Sequence, residues 1–262
     1  MDKISQYLNR HYLKVRPDTP SDVKKVRCHL CQDQGIIIKG DLAYQCHCVK
    51  QRSVMKRFAS ANMTPFLAHH TFDQFDLAFY SPHLRLDKDG PTYRAMAEKA
   101  VEGAKKFVAQ YLEEKTGQGI LLNGAVGSGK TFLAGAIANA LLEHDKQVLF
   151  LVVPDFLDDI RGTYQKQGEF SEADLMNAAR NTEVLILDDL GAHNYSEWTQ
   201  NKIFSLINYR MNHGLPCVIT TNLTIEEMNE VIGERTVSRI IEICKIYRMH
   251  VEVDIRVAMR KW

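Results

Sequence analysis

The chain has 262 residues, 45% of them hydrophobic and 25% charged, with a formal net charge of +1. Those values describe an ordinary globular protein long enough for one sizeable α/β domain and a small appendage. They exclude a global field that draws the chain to nucleic acid or membrane, so any such contact has to come from a local patch.

No apolar run approaches the roughly 18 residues of a membrane span, and 1–16 lacks the apolar core of a secretory signal. A cytoplasmic location without membrane attachment is therefore expected, where thiols stay reduced and six cysteines point to metal or core packing.

In chain order, residues 1–26 are polar, with a short amphipathic helix predicted from Ile4 to Val15. Residues 28–48 hold Cys28-His-Leu-Cys31 and Cys46-His-Cys48. Between the pairs, Ile36 to Tyr44 reads as a hairpin turning at Lys39-Gly40-Asp41, which brings the pairs together. Four thiolates suit tetrahedral Zn²⁺, with His29 or His47 as replacements for one of them. The segment has little apolar surface, so metal would supply its folding energy, and with every position filled the zinc is structural. A basic helix follows from Lys50 to Arg57, suited to phosphates or to an ordinary solvated face. The expected organisation is an N-terminal region 1–62, a linker 63–91 and a main domain 92–262.

From Thr92 the pattern alternates helix and strand. A long helix carries Met96, Ala100, Ala104, Phe107 and Tyr111 on one face. Strand Ile120–Leu122, a Gly-rich loop and a helix from Lys130 to about His144 follow. Next come strand Val148–Val153, a helix from Asp155, and a helix over 171–180 capped by Ser171. Strand Val184–Leu187 leads into Asp188-Asp189, then helix 196–212, then strand Cys217–Thr220. Two short helices and a last strand near Met249–Val253 end the pattern. Such alternation predicts a parallel sheet covered by helices on both faces.

Gly124-Ala-Val-Gly127-Ser128-Gly129-Lys130-Thr131 fits the phosphate-loop pattern between a strand and a helix, the context that gives the motif meaning. Glycines let backbone N–H groups face phosphate oxygens, and the helix N-terminus adds positive potential. Lys130 would reach the β- and γ-phosphates of ATP, and Thr131 and Asp188 would hold Mg²⁺. Asp189 is the candidate base for the attacking water. It is one methylene shorter than the commoner glutamate, and base geometry comes before pKa. Turnover below about 1 s⁻¹ is predicted, against a median enzyme near 10 s⁻¹. Asn222, past the end of a buried strand, would orient the water or cap the next helix, a task Thr224 can also fill. Cys217 and Cys244 lie on apolar patterns and read as core.

Together these elements resemble the AAA+ ATPases, and within them the DnaC/DnaI-type replicative helicase loaders. The resemblance covers about residues 70–256 and rests on the phosphate loop, Leu187-Asp-Asp-Leu-Gly191, Ile219-Thr-Thr-Asn222 and Ile232-Gly-Glu-Arg235-Thr-Val-Ser-Arg239-Ile240. The IstB-type transposition helper ATPases share the last segment in part. The resemblance implies an arginine finger given to a neighbour's ATP site, Arg239 by position or Arg235 as alternative. It implies a sensor arginine at Arg256 and adenine held near Thr71 to Phe75, whose aromatics otherwise read as core. It also implies self-association through the ATP site, single-stranded DNA, and a DnaB-type replicative helicase as partner, gripped by the N-terminal region. Arg161, Tyr164 and Lys166 are candidate DNA contacts. The alternatives are an IstB-type helper acting on duplex DNA, or a nucleic-acid adaptor whose ATP site is structural.

Overall fold

The computed structural model describes residues 28, 30–39, 42–46, 48–49, 67, 69–114, 117–165, 170–192 and 195–260. The helices expected over Ile4–Val15 and Lys50–Arg57 lie outside them. Two compact units divide at Cys48 and Val49.

The first unit is built on an antiparallel hairpin, β1 (Ile36–Lys39) and β2 (Leu42–Gln45), in the register Ile36↔Gln45 to Lys39↔Leu42. Its aliphatic residues face solvent: Ile38 is 76% exposed, and Leu30, Ile36, Leu42 and Tyr44 are also exposed. The buried residues among those described here are Cys31, Gly35, Cys46 and Cys48. Burial of apolar surface therefore contributes little to this unit, as the sequence predicts.

The second unit is built on a five-stranded sheet with every neighbouring pair parallel, in the order Val148–Val152 (β4), Val184–Asp188 (β5), Cys217–Thr221 (β6), Gly119–Gly124 (β3) and Cys244–Met249 (β7). Its elements are α1 (Tyr93–Glu114), β3 (Gly119–Gly124), α2 (Lys130–Leu142), β4 (Val148–Val152) and α3 (Val153–Gly162). Then come α4 (Glu172–Asn181), β5 (Val184–Asp188), α5 (Glu197–Asn212), β6 (Cys217–Thr221), α6 (Ile225–Ile232), α7 (Glu234–Ile243), β7 (Cys244–Met249) and α8 (Ile255–Ala258). Parallel strands need crossover helices, and helices on both faces explain why β4, β5 and β6 are almost continuously apolar until their last residues.

Period-two alternation divides each strand between two cores. Leu121, Leu149, Leu151, Leu185, Leu187 and Ile219 face one core with Phe156 and Ile160 of α3, Leu175 of α4, and Ile203, Leu206 and Ile207 of α5. Ile120, Leu122, Val148, Phe150, Ile186 and Val218 face the other, with Ala97, Ala100, Ala104 and Phe107 of α1 and Leu133, Ile137 and Leu141 of α2. Each buried aliphatic or aromatic side chain contributes about 1.5–3 kcal/mol relative to exposure. The small residues of α1 let the helix approach β7 closely: a Cβ on Gly103 would lie 2.2 Å from the Tyr247 ring.

Helix starts follow their capping chemistry. Ser171 and Thr224 each form a capping box, with Asp174 and Glu227 respectively. Two readings change. The last strand is Cys244–Met249 rather than Met249–Val253. It pairs with β3 alone, at the sheet edge, so Lys245 and Arg248 reach solvent and blunt the apolar pattern. The described part of 63–91, expected as a linker, is packed structure: Leu67 and Tyr80 are buried in the α1–α2 core, and Asn139 donates from its side chain to the carbonyls of Leu67 and His70, both at 2.8 Å.

Candidate active site

The polar ends of β3, β5 and β6 converge at the C-terminal edge of the sheet, where an open α/β sheet presents its ligand crevice. The loop from β3 into α2 winds through positive φ at Gly124, Gly127 (+71°) and Gly129 (+85°). Gly127 is required twice over: its φ is left-handed, and a Cβ there would lie 2.0–2.4 Å from atoms of the Asp254 carboxylate group. The buried Tyr80 donates its phenol to the Ser128 carbonyl at 2.7 Å, and Ile255 N–H donates to the Gly127 carbonyl at 3.1 Å. The loop is thus held from both flanks in a shape that leaves a helix N-terminus and a glycine cradle for an anion.

Lys130 is 6% exposed, and its ammonium donates to the carbonyls of Gly124 (2.8 Å) and Ala125 (2.7 Å). Burial lowers its pKa to about 8, opposed by the carboxylates of Asp189 and Asp188. An ammonium held so dry gains strongly from phosphate. At the second residue of α2, the Thr131 hydroxyl shares its one proton between both oxygens of Asp188, at 3.0 and 3.1 Å. Asp188 is buried, which raises its pKa, and it accepts a 2.7 Å bond from the Thr220 hydroxyl. A hydroxyl and a carboxylate in contact beside the loop are a donor set that fits Mg²⁺, which takes few protein oxygens and keeps waters. Asp189 stands in the left-handed region (φ +61°), and the Asn222 side chain donates to its Oδ1 at 2.9 Å.

Arg256 borders the loop on α8. It pairs with Asp254 through Nη2···Oδ2 at 2.8 Å and Nε···Oδ1 at 3.1 Å, and its side chain is largely exposed. Arg239 lies on α7, half-exposed and paired with Glu242 at 3.2 Å. Over Thr71 to Phe75, Phe75 stacks with Tyr80 (centroids 5.6 Å apart) and meets Phe132 edge-on at 5.8 Å, while His70 stacks on Phe132 at 4.2 Å. This aromatic group lies against the first turn of α2. Of the suggested DNA contacts, Arg161 is engaged by Asp158, Thr199 and the Trp198 ring, and Tyr164 by Glu172 and Trp198. Lys166 lies outside the described residues. Tyr80 and Asp254 escaped the sequence reading, and Thr220 entered it only as part of the polar strand end Ile219-Thr-Thr-Asn222, since nothing in local spacing links these side chains to the loop or to Asp188.

In the first unit the four Sγ atoms of Cys28, Cys31, Cys46 and Cys48 lie within 4.8 Å of one another. Cys28···Cys46 is 3.7 Å and Cys31···Cys48 is 3.4 Å. Tetrahedral Zn–S bonds of about 2.3 Å imply sulfur separations near 3.8 Å, so the cluster fits zinc. The Gly35 N–H donates to Cys31 Sγ at 3.3 Å, support that a thiolate ligand uses. Without a cation, burial pushes the Cys48 thiol up to about 12. His29 and His47 lie outside the described residues. In the second unit, Cys217 and Cys244 are buried in the sheet core.

Residues 93–255 match the family of IstB-like ATP-binding proteins. The chain is 29% identical over 180 residues to the replicative helicase loader DnaI of Bacillus subtilis (strain 168), covering 68% of this chain and 51% of that protein. It is 32% identical over 149 residues to the replicative helicase loader DnaC of Escherichia coli (strain K12), covering 56% of this chain and 60% of that protein. The match thus spans half to three-fifths of these curated relatives. Among solved structures, the crystal structure of DnaI superposes with a TM-score of 0.57 at 24% identity, over 72% of this chain and 95% of that one, and so shares its fold. No described helix is long and apolar enough to cross a membrane.

Proposed function

The chain belongs to the IstB-like ATP-binding protein family, and from that premise we propose that it is an ATP-hydrolysing helicase loader of replication initiation. The observation that carries the reading is the grouping of Lys130, Thr131, Asp188, Asp189 and Asn222 around a glycine cradle, in a chain similar to two replicative helicase loaders.

On this reading Lys130 exchanges its two carbonyl partners for phosphate oxygens, and the loop N–H groups take the rest. Thr131 and Asp188 hold Mg²⁺, which when bound neutralises charge on the β- and γ-phosphates. Asp189 accepts the proton of the attacking water, and Asn222, already bonded to its carboxylate, sets its direction. The short aspartate and this bond together favour slow basal turnover. Arg256, largely exposed, leaves its two-bond pair with Asp254 to turn to the nucleotide. Arg239 completes a neighbour's site in trans, which makes hydrolysis depend on assembly. ATP then acts as a switch between an assembled state on single-stranded DNA and a released one. The first unit, ordered by zinc on Cys28, Cys31, Cys46 and Cys48, offers its exposed aliphatic hairpin to the DnaB-type helicase.

The test is size exclusion with light scattering of the zinc-loaded protein mixed with its host's replicative helicase, with and without ATP. A co-eluting complex is expected. A folded protein that forms no complex in either state, and whose ATP turnover responds to duplex but not single-stranded DNA, would instead be a transposition-type helper, as the family match also allows.

A further inference from the structure

Thr220 lies 32 residues after Asp188 and is 1% exposed at the end of β6. The regular β5–β6 ladder stops at Leu187↔Ile219. Beyond it, hydroxyl bonds join one further main-chain bond between the strand ends. The Thr220 hydroxyl donates to Asp188 Oδ1 at 2.7 Å and accepts from the Asp189 N–H at 2.9 Å. The Leu190 N–H donates to the Thr220 carbonyl at 2.9 Å, and the Thr221 hydroxyl donates to the Leu190 carbonyl at 2.7 Å.

We propose that Thr220 is a positioning residue that fixes the cation-holding carboxylate of Asp188 and the backbone of Asp189 through one hydroxyl. The inference rests on the nucleotide-site reading above. A hydroxyl has one proton to give and two lone pairs. Here the proton goes to the carboxylate, so only a lone pair is left for the Asp189 amide, and a single atom sets both acids. The bond count on Asp188 gives the direction. Among the described residues, Oδ1 accepts the Thr220 proton and shares the one Thr131 proton with Oδ2, whereas Oδ2 has only its share of that proton, which leaves Oδ2 the freer oxygen for a cation or its water. Asp189 sits at φ +61°, a conformation that a non-glycine residue keeps only when its surroundings hold it. The bond to Thr220 is part of that hold, and it aims the side chain that Asn222 meets.

Valine matches threonine in shape and branching but has no hydroxyl, and serine keeps the hydroxyl. The experiment measures the affinity of a fluorescent ATP analogue in EDTA and across a Mg²⁺ titration, for wild type, Thr220→Val and Thr220→Ser. For Thr220→Val the half-saturating Mg²⁺ concentration is expected to rise roughly 10–100-fold, the usual cost of losing a partner of a metal ligand. Its affinity in EDTA should stay at the wild-type value, and Thr220→Ser should recover most of the Mg²⁺ dependence. An unchanged Mg²⁺ dependence in Thr220→Val overturns the proposal. So does an equal loss with and without Mg²⁺, which would mean a structural role only. If the wild type itself binds no analogue in either condition, the nucleotide-site reading fails, and this inference with it.

Discussion

Arg210 is 0% exposed and has no carboxylate partner among its described contacts. Its guanidinium donates to five carbonyls: Ala179 (3.0 Å) and Arg180 (3.1 Å) in the last turn of α4, Thr182 (2.9 Å), Glu183 (3.3 Å) before β5, and Pro216 (2.7 Å) before β6. It therefore caps a helix C-terminus with positive charge and joins the entry points of the two strands that carry Asp188 and Thr220 at their far ends. Charged hydrogen bonds contribute about 1.5–3 kcal/mol each, so the gross gain is on the order of 10 kcal/mol. Dehydrating the guanidinium takes back several kcal/mol. Arg210→Met keeps the alkyl stem but leaves five carbonyls short of a partner, and a net loss of about 4 kcal/mol is expected, near the top of the range for single substitutions. At roughly 2–4 °C per kcal/mol for a domain this size, Tm should fall by about 8–16 °C. Arg210→Lys, with three donors on one nitrogen and no planar fork, should lose about half as much. Thermal and urea unfolding by circular dichroism measure both. A loss below about 1 kcal/mol in Arg210→Met would mean that the carbonyls are satisfied without the guanidinium, and the capping argument would fail.

Burial holds Lys130 at about 8 in the free protein, below its unfolded value of about 10.4. Nucleotide affinity should be flat below pH 7 and fall by up to about tenfold per unit above pH 8, where the free ammonium loses its proton. The sign for stability is opposite. The cost of burying the charge is fully present below about pH 8 and is relieved as the pH rises toward 10.4, because the unfolded chain then binds more protons than the folded one. Calorimetric titration at pH 7 and 9, and urea unfolding of wild type against Lys130→Met, check the two slopes; equal slopes in the two proteins would refute the shift. Metal analysis should find one zinc per chain, and its removal by a chelator, or Cys46→Ser, should unfold the hairpin while ATP-analogue binding persists. Protein made with ample zinc and reduced thiols that carries none would exclude the site.

Much of this molecule is determined locally. The phosphate loop is legible because its glycines, lysine and threonine are consecutive and act as one turn between strand and helix. The strands β4, β5 and β6 are legible because burial on both faces leaves near-continuous apolar runs, and Ser171 announces its helix by capping chemistry. The cysteine pairs declare a site because a hairpin between them has one simple way to close. Tertiary structure decided what spacing cannot carry. Nothing in the sequence pattern singles out Arg210, and only the packing of α5 against α4 and the strand entries encloses it in carbonyls. Tyr80 and Phe75 sit in a stretch of mixed polarity, yet they border the phosphate loop at Ser128 and Gly129. β7 hid because an edge strand tolerates charge along its open side. Thr220 became part of the site because a parallel sheet sets the ends of β5 and β6 side by side, bringing a hydroxyl to two acids far away in the chain.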